Sequence, residues 1–219
     1  MQKLGLNGVV IPGIVGNTPL HAKEFIPFFE TMNEIDAPVG FHAVTGMHYT
    51  PWADCFTDFF ATHVTAMPFS MMVAMMSMVH TGLLKQLPHL GCAFLEIGAS
   101  WLPYWNWWVG KHIEHVLEPR AGRKESAWGR EPYELAPTVH EPGEDILAGR
   151  ILSGFEGDEN LRSIIDQLGS KGFMYASDYP HSDMDWDRVQ AIKGSEALTG
   201  AEKADLLGGN ARRFYNLQI

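Results

Sequence analysis

Residues 8–12, 39–44, 91–97, 151–155 and 172–176 are short apolar runs, and each is separated from the next by enough chain for a helix. This alternation is what most constrains the fold. Runs that are apolar at every position suit strands buried on both faces, and helix-length connections suit parallel neighbours. The intervening segments agree. Phe25, Ile26, Phe28, Phe29 and Met32 fall at helical spacing between Pro19 and Glu34. Residues 52–86 read as one or two helices, with Pro68 an expected break, and Pro88 stops them. Residues 101–116 read as an aromatic helix and 160–168 as a shorter one. Thr199 with Glu202 three positions on forms a capping box, opening a helix that ends near Gly208 and Gly209 before a short terminal helix. Residues 119–147, rich in Pro, Gly and charge, read as a long loop or lid. The expectation is an α/β protein with a parallel sheet, one domain over residues 1–219, with the 119–147 insertion part of it.

Bulk properties exclude several classes of function. The formal net charge is −10, whereas a nucleic-acid partner would demand clustered Lys and Arg. The same excess gives no attraction to an anionic membrane. The apolar stretch 67–84 is interrupted by Pro68, Ser70, Ser77, His80 and Gly82, so a buried helix is expected there and not a membrane span. No signal peptide is visible at the first residues. Cys55 and Cys92 show no CxxC spacing and form neither a disulfide framework nor a thiolate metal site. A reducing cytoplasm is the expected location.

Three of the expected strands carry a group that could do chemistry. His42 lies in Val39-Gly-Phe-His-Ala-Val44, Glu96 in Phe94-Leu-Glu-Ile-Gly98, and Asp178 follows Tyr175-Ala-Ser. One His and two carboxylates converging at a barrel mouth suit Zn²⁺, Mn²⁺ or Fe²⁺. Asp178 could both ligate the ion and act as general base toward water. Each residue also has a plainer reading. His42 could be a hydrogen-bonded core histidine. Glu96 could pair with an Arg, with Lys111 or with His112, because a buried carboxylate needs a partner. Asp178 could cap a following helix. The run Met71, Met72, Met75, Met76 and Met78 reads as flexible core filling. Trp101, Trp105, Trp107 and Trp108 could be a core face or a subunit contact.

Three segments together resemble a known family. They are Gly91-Cys-Ala-Phe-Leu-Glu-Ile-Gly-Ala-Ser-Trp-Leu-Pro-Tyr-Trp105, Ala176-Ser-Asp-Tyr-Pro-His-Ser-Asp183 and Gly208-Gly-Asn-Ala-Arg-Arg-Phe-Tyr-Asn-Leu217, with Pro88-His-Leu before the first. In this order they resemble the amidohydrolase-related family, in the branch that includes aminocarboxymuconate-semialdehyde decarboxylase and related metal-dependent hydrolases and decarboxylases. The resemblance implies a (β/α)8 TIM barrel with a divalent metal at the strand C-termini. It implies that His42 is the metal-binding His of strand five, and Asp178 the metal-binding and catalytic Asp of strand eight. Strand six carries His in better-known members, and here Glu96 stands in that region. His181 is a candidate for orienting a substrate carboxylate.

One family feature is missing. A first strand bearing His-x-His supplies two metal ligands in the family, and no His-x-His occurs in this sequence. The nearest pairs, His42 with His48 and His112 with His115, have the wrong spacing. The five strands are therefore expected to be strands four to eight of an incomplete barrel, because the gene product is truncated, because a partner chain completes it, or because copies self-associate as a homo-oligomer. Two missing ligands imply weak metal binding or none. Two functions remain open. One is a metal-dependent hydrolase or decarboxylase of a small molecule, hydrolase being the broader expectation, with residues 119–147 as its lid. The other is a non-catalytic interaction subunit.

Overall fold

The five strands form one parallel sheet, and their order in space is their order in sequence. A computed structural model of the protein describes residues 2–42, 55–113, 139–181, 184 and 187–218. The strands are β1 Val9–Pro12, β2 Val39–His42, β3 Cys92–Leu95, β4 Ile151–Gly154 and β5 Phe173–Met174. A doubly wound sheet would reverse direction at a switch point. This one advances by one neighbour at every step, as the wall of a barrel does. Among the described residues β1 and β5 are its edges.

Side-chain alternation sorts the layers. Val39, Phe41, Cys92, Phe94, Ile151 and Phe173 point to one face and join a single apolar core with the helices. Those helices are α1 Ile26–Glu34, α2 Phe59–His80, α3 Leu83–Gln86, α4 Trp101–His112, α5 Gly143–Leu147, α6 Leu161–Leu168 and α7 Arg188–Gly194. The opposite parity gives Ala93, Leu152 and Met174, which meet Phe214 of the terminal helix α9, Asn210–Phe214, in a second cluster. One face thus takes helices α1 to α7, and the other, which faces the barrel axis, meets Phe214 of α9.

Helix α2 differs from the sequence expectation at Pro68, which lies inside a continuous helix. Met67, Met71, Met75 and Met78 recur at helical spacing and are all buried. Burying four such side chains at roughly 1.5–3 kcal/mol each outweighs the ~3 kcal/mol that an interior proline costs. Asp58 caps the start by accepting from the Ala61 amide at 2.8 Å. In length and composition α2 could cross a membrane, yet its later turns sit in the core against β2 and β3. The methionines are core, as expected. The tryptophans divide: Trp101 is buried, whereas Trp107 and Trp108 are exposed. The expected ends of strand two (residues 43–44) and of the aromatic helix (114–116) lie outside the described residues.

The capping box forms as read: Thr199 Oγ1 accepts from the Glu202 amide, and the Glu202 carboxylate accepts from the Thr199 amide at 2.7 Å. It opens α8, Gly200–Ala204, and Gly208 breaks the helical path before α9.

His21 and His80 form a second titratable feature, with ring centroids 5.2 Å apart. Burial, and then the neighbouring His80, hold the His21 pKa below 6.5. The folded state therefore binds its proton less readily than the unfolded chain. Stability is full above about pH 6.5 and is lost as pH falls from there through the folded pKa. His21→Gln should narrow the difference in Tm between about pH 7.5 and about pH 5.5. An unchanged difference in thermal melts would contradict this assignment.

Candidate metal centre

The C-terminal ends of β2, β3 and β5 deliver His42, Glu96 and Asp178 to one edge of the sheet. His42 is the last residue of β2 and shares parity with Gly40, on the face away from the helices. Glu96 follows β3 and shares parity with Phe94, so an unbroken strand would send it into the helix layer. Its φ of 63° prevents that. The left-handed turn brings the Glu96 carboxylate to His42, with Oε2 against Nε2. Asp178, beyond β5, is also left-handed, with φ 55°. Asp adopts this region more readily than Glu. Backbone strain of this kind collects at functional sites.

His181 completes the group. Its Nδ1 lies 3.0 and 3.1 Å from the two Asp178 carboxylate oxygens and 3.6 Å from Glu96 Oε1. The Tyr179–Pro180 peptide between them is cis. Glu96, Asp178 and His181 each place a ligand atom within 4.8 Å of the others. The cluster is neither sealed nor fully open, with side-chain exposures of 39% for His42, 21% for Glu96 and 58% for His181.

The residues fit a divalent metal. Imidazole and carboxylate are the donors that Zn²⁺, Mn²⁺ and Fe²⁺ accept. Glu96 Oε2 is buried without a hydrogen-bond partner among the described residues, although His42 Nε2 touches it. An oxygen shielded from water beside an imidazole nitrogen offers two donor atoms that one cation would ligate together. Donors on opposite sides of one ion at about 2.1 Å each stand about 4.2 Å apart, so the cluster needs only a small contraction.

Glu96 is paired with His42, not with Lys111 or His112. Among the described residues Asp178 caps no helix, because the next described one, α7, begins at Arg188 with Asp187 at its N-cap. Of the expected lid, residues 119–138 lie outside the described residues, as do His48, His115 and Asp183. Its last part packs at the other end of the sheet. There buried Asp145 binds His140 Nε2 at 2.8 Å and Arg150 at 2.7 Å, and Arg150 precedes β4. Residues 139–147 are thus anchored away from the candidate centre. Cys92 is buried, which pushes its thiol pKa well up.

Two residues around the centre escaped sequence reading. Arg188, 4% exposed, donates to Phe155 O, Ala176 O and Glu156 Oε2. Glu159 accepts from the amides of Ala99, Ser100 and Glu156. Most of these partners are backbone atoms, which leave no trace in side-chain spacing.

Comparison with known proteins identifies the family and the fold. The amidohydrolase family model matches residues 1–217. The 2-amino-3-carboxymuconate-6-semialdehyde decarboxylase of Dictyostelium discoideum is 26% identical over 221 residues, covering 98% of this chain and 55% of that protein. The chain therefore spans about half the length of the curated relative it matches. A crystal structure of an amidohydrolase from Mycobacterium avium subsp. paratuberculosis superposes with a TM-score of 0.76 at 15% identity, covering 100% of this chain and 53% of that one. A 5-carboxyvanillate decarboxylase from Novosphingobium aromaticivorans, with bound manganese and 3-methoxy-4-hydroxy-5-nitrobenzoic acid, superposes with a TM-score of 0.70 at 19% identity, covering 99% and 59%. At these identities the structures establish the fold: an α/β barrel of amidohydrolase type, of which the described residues form a five-strand parallel section. The family match over nearly the whole chain establishes the rest: this chain belongs to the amidohydrolase family.

Proposed function

We infer that this chain forms the acid-bearing wall of a metal-dependent decarboxylase acting on a small carboxylated substrate. The convergence of Glu96, Asp178 and His181, with His42 on Glu96, carries the reading. These four residues would hold the ion, and Mn²⁺ is the first choice because the 5-carboxyvanillate decarboxylase contains manganese. The expectation of weak binding rested on two absent ligands. Glu96 and His181 offset that loss by bringing a second carboxylate and a second imidazole to the same place.

When bound, the ion supplies positive charge that anchors and polarises an anionic substrate. The rest of the work falls to side chains. In decarboxylation the bond to the carboxylate carbon breaks, CO2 leaves, and the electron pair stays on the remaining carbon, which then takes a proton. Asp178 in its protonated form delivers that proton. His181, within hydrogen-bonding reach of both Asp178 oxygens, sets the direction from which it comes. Hydrolysis would use the same residue in reverse, with Asp178 accepting a proton from water. Hydrolysis, the broader sequence expectation, has less support, because two of the three proteins described above are decarboxylases, among them the curated relative.

The test is CO2 release by the full chain with Mn²⁺, offered 5-carboxyvanillate and 2-amino-3-carboxymuconate-6-semialdehyde. CO2 should appear, stop on chelation and return with Mn²⁺. No CO2 from either compound, together with metal-dependent cleavage of esters or amides, would replace this reading with the hydrolase.

A further inference from the structure

The two acids of the candidate centre sit on loops that do not touch in sequence, and a metal site works only if their spacing is fixed. Glu96 lies on the loop after β3 and Asp178 on the loop after β5, with the β4 loop between them. Two charged side chains bind these loops together without belonging to the centre.

The first is Glu159. Its carboxylate accepts from the Ala99 amide through both oxygens at 2.9 Å, from the Ser100 amide at 2.6 Å and from the Glu156 amide at 2.7 Å. It thereby ties the β3 loop, three residues beyond Glu96, to the β4 loop. Gly98 makes room for it: φ there is +67°, and a Cβ would meet Glu159 Oε1 at 2.9 Å. Ser153, fully buried on β4, holds the same loop by donating to Gly98 O at 2.8 Å.

The second is Arg188. Its guanidinium donates to Phe155 O at 3.0 Å and to Ala176 O at 3.2 Å, and pairs with Glu156 Oε2 at 2.7 Å. It also lies over the Tyr175 ring, 5.8 Å from the centroid. Phe155 and Glu156 begin the β4 loop, and Ala176 is two residues before Asp178. The planar fork of Arg suits this task, since fixed nitrogens reach acceptors on two loops at once. The result is a continuous path from the Glu96 loop through Glu159, Glu156 and Arg188 to the Asp178 loop.

We propose that Arg188 and Glu159 are positioning residues that set the Glu96–Asp178 spacing and, through it, the affinity and symmetry of the metal centre. This rests on the metal reading given above. Groups that orient metal ligands from outside typically change affinity by about 10–100-fold when removed.

Arg188 gives a sign that separates positioning from charge. Removing a cation near acidic ligands should tighten Mn²⁺ binding if only electrostatics matters. Positioning demands the opposite. Mn²⁺ affinity of the full chain would be measured by the electron paramagnetic resonance signal of free Mn²⁺, well below Tm and with native circular dichroism. Arg188→Met should weaken binding about tenfold or more. Arg188→Lys keeps the charge but loses the fork, and should weaken it by roughly threefold. Glu159→Gln should weaken it by roughly fivefold. The bound-Mn²⁺ spectrum should change in all three. If Arg188→Met does not fold, Arg188→Lys decides, since it keeps charge and length. A wild-type chain that binds Mn²⁺ alongside Arg188 variants within about twofold of it, or tighter, overturns the positioning role alone. A wild-type chain that binds no Mn²⁺ overturns the metal reading and this inference with it.

Discussion

Asp178→Asn is expected to lower Mn²⁺-dependent CO2 release by roughly 10²–10⁴-fold, the range contributed by a positioned proton carrier, while the fold survives. The substitution is nearly isosteric, and Asn adopts left-handed backbone as readily as Asp, so the φ of 55° is no obstacle. The side chain lies at the rim of the sheet, within reach of His181 and outside the apolar core. Two effects combine in the loss. Asn cannot carry the proton, and it removes a negative donor from the metal cluster. Assays at saturating Mn²⁺ isolate the first, and direct Mn²⁺ binding isolates the second. Asp178→Glu, which keeps the charge but displaces it by one methylene, should fall between the two. A variant that melts like wild type and keeps CO2 release within about tenfold at saturating Mn²⁺ would remove Asp178 from the chemistry. Another group would then carry the proton; only a wild-type chain that releases no CO2 and cleaves no ester or amide would leave the non-catalytic interaction subunit standing.

The difference between what was legible in sequence and what was not has a physical origin. The strands are visible because burial on both faces of β2, β3, β4 and β5 leaves runs that are mostly apolar, a strong local pattern, and β1 carries the same pattern although Val10 is exposed. The capping box at Thr199 was visible for the same reason: its partners are three residues apart. Pro68 misled because propensity is local, whereas the packing of Met67, Met71, Met75 and Met78 that overrides it is not. Helix α7, seven residues with Arg188 at its start, has no long apolar stripe to announce it. At the centre, His42, Glu96 and Asp178 stand out as polar groups in or just after apolar runs, and the family resemblance adds the metal-ligand roles of His42 and Asp178. What sequence lacked was direction. Parity alone sends Glu96 toward the helices, and only the positive φ turns it to His42. Arg188 and Glu159 were invisible because their bonds cross to backbone atoms of other loops, Glu159 reaching Ala99 sixty residues away.

The same parity predicts the largest stability effect, at the residue beside His42. Phe41 is fully buried on the helix side of β2. Its ring stacks on its register partner Phe94 with centroids 5.2 Å apart, and meets Phe29 of α1 at 6.5 Å. Phe94 in turn meets Trp101 of α4 edge-on at 5.8 Å. These four rings join two strands to two helices, so Phe41→Ala opens a cavity that no single side chain can refill. The expected cost is about 3–5 kcal/mol, a large part of the roughly 5–15 kcal/mol that holds a domain together. For a chain of this size that lowers Tm by roughly 6–20 °C. Phe41→Leu keeps most of the volume and should recover more than half of the loss. Because Phe41 and His42 face opposite sides of the sheet, Mn²⁺ affinity measured well below the lowered Tm should stay within about threefold of wild type. A Tm drop under about 3 °C would mean that the ring stack is not part of the core that the sheet and helices share. A collapse of metal affinity in a folded Phe41→Ala protein would mean that the two faces of β2 are not independent, and that packing under the strand, not only the loops above it, sets the geometry of the centre.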